Sequence, residues 1–315
     1  MEQKSYKIGI DLGGTFIKGG IVDENGNILL SDQVPTEKEQ GENKVVENIA
    51  FLVEKLLKSL NIDKSLVVGV GMGVPGMIDS ASGLVVYSNN LDWENFPIAK
   101  LLSEKVSLPV KIANDANVAA LGEAKFGCGK DYKTSVLITL GTGVGSGIVL
   151  DGKLFEGNRS AGAELGHMVI RADGEKCTCG RKGCFEAYAS ATALIRETKK
   201  AMQENKQSKM WSKYSLDTVD GKTAFDFYDT DISAKKVVDE YVENLGIGLT
   251  NIANVFRPEV IMLGGGVCAQ GENLTLPLRS HLSSKIFAGS RGPSVDIRIA
   301  TLGNRAGILG ASALL

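Results

Sequence analysis

The stretch 'IGIDLGGTFIKGGIVDENGNIL', Ile8 to Leu29, reads as an apolar strand, a Gly-Gly-Thr turn, a second strand and the start of a third. The pattern returns at 'VLITLGTGVGSGIVLDGKLF', Val136 to Phe155. Two copies are too few for a stacked repeat and instead predict two related domains facing each other across a cleft. Working outward, further short β-branched runs bounded by glycine occur at Leu66 to Val74, Val110 to Asp115, Ser135 to Gly141 and Val260 to Gly266. Helical patterns lie between them. Asn43 to Leu60 places Val46, Ile49, Val53, Leu56, Leu57 and Leu60 on one face. From Ala234 to Phe256 apolar residues recur at steps of three and four, and Pro258 stands just past that helix. Strands alternating with helices predict an α/β protein. The polar region Lys199 to Asp217 is expected to be the end of an exposed helix and a surface connection.

The composition fits such a fold. Of 315 residues, 43% are hydrophobic, and 35 basic against 37 acidic side chains leave a net charge of −2. That balance gives no general reason to bind nucleic acid or an anionic membrane. Neither the N-terminal 'MEQKSYKIGID' nor the C-terminal 'AGILGASALL' has the apolar length of a signal peptide or a membrane span. A cytoplasmic location is therefore expected. There, stable disulfides are disfavoured, and clustered cysteines call for a metal or a redox explanation. The 38 glycines, scattered between apolar runs, suggest tight turns that approach a ligand closely.

Two of those turns are the sharpest: 'DLGGT', Asp11 to Thr15, and 'LGTGVGSG', Leu140 to Gly147. Glycine lets backbone N–H groups converge on an anion, and threonine adds a donor. Neither turn is a Walker loop. A dinucleotide-binding reading of the second fails because strand sequence, not a helix, follows it. Either turn alone is equally well a plain hairpin; two in echo, each after an apolar strand, favour phosphate. Asp11 beside phosphate suggests Mg²⁺, held directly or through water. Lys18 either neutralises phosphate charge or is a solvated strand residue. A third glycine run, Gly264 to Gly266, would let a flat ring lie against bare backbone.

The residues 'IGIDLGGTFIKGGIVD', 'GVPG', 'ANDANVAALGE', 'ITLGTGVGSGIV', 'GAELGHM', 'CTCGRKGCFE' and 'PEVIMLGGGV' together resemble the ROK family of repressors, open reading frames and sugar kinases. The resemblance runs in order from about Lys7 to the C-terminus, and it is strongest to the family's ATP-dependent bacterial glucokinases. It implies the actin-like (ribonuclease-H-like) ATPase fold, with two α/β domains closing over a sugar and ATP. The expected division is 1–113 with 303–315 for the smaller domain and 114–302 for the larger. The resemblance assigns Gly13, Gly14, Thr15 and Lys18 to the first phosphate motif, Thr142 and Gly143 to the second, and Gly265 and Gly266 to the adenosine side. It implies phosphoryl transfer from ATP to the 6-hydroxyl of glucose, with kinases for N-acetylmannosamine, N-acetylglucosamine or fructose as alternatives. A homo-oligomer, dimer or tetramer, is expected. Family repressors carry a helix-turn-helix ahead of the kinase-like region. Here the first strand is expected by about residue 6, which argues against one. A non-catalytic sugar sensor is the remaining alternative.

Three thiols, Cys177, Cys179 and Cys184, are one ligand short of a tetrahedral zinc site. Of the two histidines, His281 is expected on a surface helix and His167 lies ten residues before Cys177. A Cys₃His set from residues 167, 177, 179 and 184 is closed and hence structural. The alternatives are reduced thiols or a redox pair; cysteines adjacent but one make a strained ring poorly suited to a stable disulfide. Gly180 and Gly183 permit the tight loop. Cys128 and Cys268 are expected to be buried apolar residues.

By resemblance, Glu164, His167 and Glu186 bind sugar hydroxyls, and the thiol loop clamps Glu186 and His167 in place. Loss of the clamp is expected to harm sugar binding more than ATP binding, whose turns lie elsewhere in the sequence. At 'KIANDANVAA' the resemblance makes Asp115 the catalytic base and puts Asn114 and Asp115 on the sugar. From the residues alone, Asp115 reads first as the N-cap of the following helix.

Overall fold

The computed structural model describes residues 5–315. The chain folds into two compact units. One comprises the residues up to Lys133 with Gly147–Ala163 and Thr301–Leu315; the other comprises Thr134–Ser146 with Glu164–Ala300. The division differs from the expected one. Residues 114–133 belong to the first unit, because the helix they form packs against the C-terminal helix of that same unit.

In the first unit, β1 (Tyr6–Leu12), β2 (Phe16–Val22) and β3 (Ile28–Pro35) form an antiparallel meander. The amphipathic helix α1 (Glu42–Leu60) follows, with Val45, Val46, Ile49, Leu52, Val53, Leu56 and Leu57 buried. Leu60, expected on that face, is 37% exposed at the helix end. β4 (Val67–Val74) joins β1 in parallel. A small antiparallel sheet follows, built from β5 (Met77–Asp79), β6 (Leu84–Ser88) and β7 (Trp93–Phe96). Helix α2 (Ile98–Val106) then leads to β8 (Val110–Asn114), parallel to β4, and straight into α3 (Asp115–Phe126). The sheet order is β3-β2-β1-β4-β8. The C-terminal helix, Ala306–Ser312, lies on β1 and β4 and against α3.

That helix explains several strand glycines, which serve helix packing rather than a ligand. A Cβ on Gly9 would lie 1.9 Å from the Ile308 carbonyl oxygen, and one on Gly71 would lie 1.8 Å from that of Ala311. Helix backbone rests directly on strand backbone. Glu123 of α3, 1% exposed, ties the ends of this unit together. Its carboxylate accepts from Leu302 N at 2.7 Å and Cys128 N at 3.1 Å.

In the second unit, β9 (Ser135–Leu140) leads through the second glycine turn into β10 (Val144–Leu150). β10 leaves this unit after Ser146, and in the first unit Ile148, Val149 and Leu150 pair with β11 (Lys153–Phe155). A short α4 (Glu186–Ala189) and α5 (Ala191–Glu204) precede α6 (Thr223–Asp226) and the long α7 (Ile232–Phe256). Asp231 caps α7 by accepting from Ser233 N and Ala234 N at 2.7 and 3.0 Å, and the helix stops at Arg257, before Pro258. β12 (Val260–Gly264), α8 (Glu272–Lys285) and β13 (Asp296–Ile299) complete the unit; β12 runs parallel to both β9 and β13.

Three expectations change here. Lys199 to Asp217 is not a plain surface connection. Met210 and Tyr214 are buried, and the Trp211 indole donates to the Met202 carbonyl at 3.0 Å. Met202, earlier in the same polar stretch, is buried as well. His281 does lie on a helix, but its ring packs onto α7, where a Cβ on Gly246 would meet it at 2.6 Å. Its Nδ1 is 3.2 Å from the Glu243 carboxylate. Cys268 is buried as expected, whereas Cys128 is half-buried. Among the described residues, no helix is long and apolar enough to cross a membrane.

Gly71→Ala should destabilise the protein by about 3 kcal/mol or more, because the added methyl meets a helix carbonyl that cannot move independently. Chemical denaturation of the variant checks this; unchanged stability would mean the helix does not sit on the strand as described.

Candidate active site

In the first unit, the site residues gather at the ends of β1 and β8. Asp11, next to last in β1, stands opposite Lys18 in the β1–β2 register. Burial pushes the Asp11 carboxyl above its ordinary value, and Lys18 partly offsets the rise. A Cβ on Gly307 of the C-terminal helix would lie 2.6 Å from Asp11 Cγ, so a bare backbone faces this carboxylate. Lys18 lines a groove of about 820 Å³ together with Arg305, a cation that no motif had singled out.

The first glycine turn is held from behind. Gly13 N donates to Phe16 O at 3.0 Å, closing the hairpin. Thr36, wholly buried just past β3, donates its hydroxyl to Gly13 O at 2.7 Å and its N–H to Thr15 O at 2.9 Å. The N–H groups of Gly14 and Thr15 have no partner among the described residues. Adjacent free amides of this kind form an anion-binding concavity.

At the other strand end, the cap is Asn114, not Asp115. Asn114 Oδ1 accepts from Ala116 N at 2.9 Å and Asn117 N at 3.3 Å, and its amide donates to Gly76 O at 3.0 Å. Asp115 is the first residue of α3, released from capping, and accepts from Ala116 N at 2.9 Å. Its side chain reaches solvent, yet the surrounding protein displaces enough water to raise its pKa from 3.8. The Ala116 N–H opposes that rise, and the negative charge of Asp11 adds to it.

In the second unit, the turn Gly141–Gly143 repeats this construction. Gly141 N donates to Gly143 O at 3.0 Å. From the start of α5, Ala191 N donates to Gly141 O at 2.9 Å and the Thr192 hydroxyl to Thr142 O at 2.8 Å. The N–H groups of Thr142 and Gly143 have no partner among the described residues. Gly265, with φ of +95°, abuts this strand end: its Cβ would meet Leu140 O at 2.3 Å. Gly266 faces open space.

Glu164, His167 and Glu186 are brought to the same hairpin. The segment Leu165–His167 leans on β10, with Leu165 N donating to Ser146 Oγ at 3.0 Å. Glu164 is exposed. Glu186 Oε2 accepts from Val144 N at 3.0 Å and lies where a Cβ on Gly143 would be, 2.2 Å away. Its Oε1 accepts from the Thr178 hydroxyl at 3.0 Å and lies 3.5 Å from Cys177 Sγ. One carboxylate thus spans the thiol loop and the second glycine turn. These features are separate in sequence but touch in space, which removes the reason for expecting ATP binding to ignore the loop.

The loop itself is compact. Val169 pairs with Cys184, Phe185 N donates to Met168 O at 2.8 Å, and Cys177 N donates to Arg181 O at 2.8 Å. Gly180 and Gly183 hold φ of +87° and +80°, which glycine adopts without cost. The ligand atoms of His167, Cys177, Cys179 and Cys184 all lie within 4.8 Å of one another. Cys179 and Cys184 sulfurs are 3.7 Å apart, as are Cys177 Sγ and His167 Nδ1. Metal–sulfur bonds of about 2.3 Å at the tetrahedral angle would set two sulfurs about 3.8 Å apart. Burial, then the neighbouring thiols, push the Cys184 thiol up to about 12, while the Arg181 N–H first of all lowers Cys179. The donor set fits a tetrahedral metal, which would approach the Nδ1 side of His167 and leave Nε2 free.

Each unit thus carries a glycine turn after its leading strand, with two free amides at the tip. An α/β chain built this way has the actin-like sugar-kinase fold, shared with solved structures over nearly its full length. It belongs to the ROK family, whose model matches residues 7–315. It is 39% identical to the glucokinase of Halalkalibacterium halodurans, over 98% of this chain and 94% of that protein. A ROK family glucokinase from Streptomyces griseus, solved with glucose and AMPPNP, is similar at 34% identity and a TM-score of 0.78, covering 98% of this chain and 99% of the other. The ROK hexokinase of Thermus thermophilus is similar at 33% identity and a TM-score of 0.81, covering 98% and 97%.

The protein as purified should hold about one metal ion per chain, measured by elemental analysis. Cys184→Ser should lose it, lower the melting temperature, and raise KM for sugar and nucleotide alike, because Glu186 anchors to both loop and turn. A metal-free protein of full stability would refute the site.

Proposed function

We propose that this chain is an ATP-dependent glucokinase, transferring the γ-phosphoryl of ATP to the 6-hydroxyl of D-glucose to give glucose 6-phosphate and ADP. The full-length likeness to a family glucokinase solved with glucose and AMPPNP carries the reading. The residues supply the parts the reaction requires. Phosphoryl transfer needs an aligned hydroxyl, a proton acceptor and donors around the phosphates.

Asp115 is the base. Burial raises its carboxyl above the ordinary aspartate value, which makes it a stronger proton acceptor than an ordinary aspartate. Asn114, fixed by its cap and its bond to Gly76, orients the sugar beside it. Glu164, His167 and Glu186 read the sugar hydroxyls, and an epimer lacking one of them would leave a polar group unpaired. Gly13, Gly14, Thr15 and Lys18, with Thr142 and Gly143, receive the phosphates; Gly265 and Gly266 form the adenosine wall.

Asp11 would hold Mg²⁺, directly or through water. Its half-buried carboxylate, whose charge also acts on Asp115, fits a divalent cation. Bound there, the ion would neutralise charge on the phosphates. In the second unit, the closed Cys₃His set fits structural zinc. His167 would bind it through Nδ1 and offer Nε2 to sugar. We place the enzyme in the cytoplasm as a homo-oligomer.

Asp115→Asn should keep glucose binding and lower kcat by about 10² to 10⁴. A base works only when ionised, so wild-type kcat/KM should fall as pH drops through the raised Asp115 pKa, at higher pH than an aspartate of 3.8 allows. Normal single-turnover transfer in the variant would remove Asp115 from the role. A hexose panel tests the substrate: a preference for N-acetylmannosamine, N-acetylglucosamine or fructose would redirect it.

A further inference from the structure

The two glycine turns share a feature that lies outside every motif in the sequence. In each, a threonine from another element donates its hydroxyl to a turn carbonyl. Thr36 bonds to Gly13 O at 2.7 Å, and Thr192 to Thr142 O at 2.8 Å. In each, a backbone N–H from that same element donates to a second turn carbonyl: Thr36 N to Thr15 O, and Ala191 N to Gly141 O, both at 2.9 Å. A peptide unit is planar, so fixing its carbonyl fixes the opposed N–H of the next residue. Holding Gly13 O aims the Gly14 amide; holding Thr142 O aims the Gly143 amide. These belong to the pairs left free, Gly14 with Thr15 and Thr142 with Gly143.

We propose that Thr36 and Thr192 are positioning residues for the nucleotide phosphates: each locks the peptide planes of one turn so that its free amides point at an anion before it arrives. Glycine turns are permissive, and without the lock the same N–H groups would sample other directions. Preorganised donors bind charge without the cost of turning to meet it. Neither threonine touches the phosphate. Both act through the turn, in two units, by the same pair of bonds. The proposal rests on the kinase reading only for the identity of the anion.

The test uses Thr36→Val and Thr192→Val, which keep side-chain shape and delete the hydroxyl, with Thr→Ser at each position as the restoring variant. Calorimetry on the free protein measures affinity for a non-hydrolysable ATP analogue and for adenosine. Each valine variant should weaken analogue binding by about threefold to tenfold, the scale of one hydrogen bond, and leave adenosine binding unchanged. Serine should restore it. A purely structural role would lower affinity for both ligands together and would lower the melting temperature in proportion. That pattern, or unchanged analogue affinity, overturns the proposal. Thr36 is buried, so its valine variant risks misfolding; Thr192 is exposed and carries the test alone if so. No sugar is needed, so an enzyme inactive on glucose that still shows the selective loss would retain this inference and lose the other.

Discussion

The contact of the C-terminal helix with β1 and β4 is the constraint on which the first unit depends. Helix backbone reaches strand backbone only because Gly9 and Gly71 present no side chain. The same helix lies against α3, where a Cβ on Gly310 would meet the Val118 carbonyl at 1.8 Å. Through Gly307 it also stands over Asp11. Two carboxylates at the carboxyl ends of parallel strands, Asp11 on the central β1 and Asp115 just past the edge strand β8, are therefore placed by one short helix. Their raised pKa values follow from that crowding: tight packing removes water, and the charge of one bears on the other.

A different device organises the second unit. Its hairpin tip lies at the meeting of three short segments: the 3-10 turn Leu165–His167, the thiol loop and Gly265–Gly266. The first docks on the Ser146 hydroxyl, the second on the Val144 N–H through the Glu186 carboxylate, and the third on the Leu140 backbone. Glu186 is the most connected of the groups there. It binds a turn amide with one oxygen and a loop hydroxyl with the other, and the missing side chain of Gly143 makes its space. A metal in the Cys₃His set would stiffen this arrangement from the loop side. Under the proposed assignments the loop would serve both sugar and nucleotide, because Glu186 joins it to the second glycine turn, a contact that the order of residues along the chain hides.

The full-length likeness to glucokinases, rather than the family match alone, shows the class of chemistry. Asp115 at the start of α3, the opposed Asp11 and Lys18, and both turns with their free amides are the groups proposed to carry it. The supports behind the turns have the same logic in both units, as expected where a fold is built from two related halves. Thr36 follows a β-meander and Thr192 opens a helix, so the shared bonding pattern comes from different local structures.

By itself the sequence determined the principal strands, the two principal helices, the echo of glycine turns and the four clustered candidate metal ligands. These depend on local periodicity, on backbone angles only glycine takes easily, and on ligand spacing within a short loop. The tertiary structure alone decided the rest. It made Asn114 the cap and freed Asp115, because the turn into α3 begins one residue earlier than the residue types suggest. It gave strand glycines to helix packing, buried Met210 within a polar stretch, and turned His281 inward against Gly246. It also joined Glu186 to Val144 and set Thr36 and Thr192 behind the turns. Such contacts link residues far apart in the chain, and no local pattern encodes them: they exist only once packing has brought the backbones to within hydrogen-bond reach.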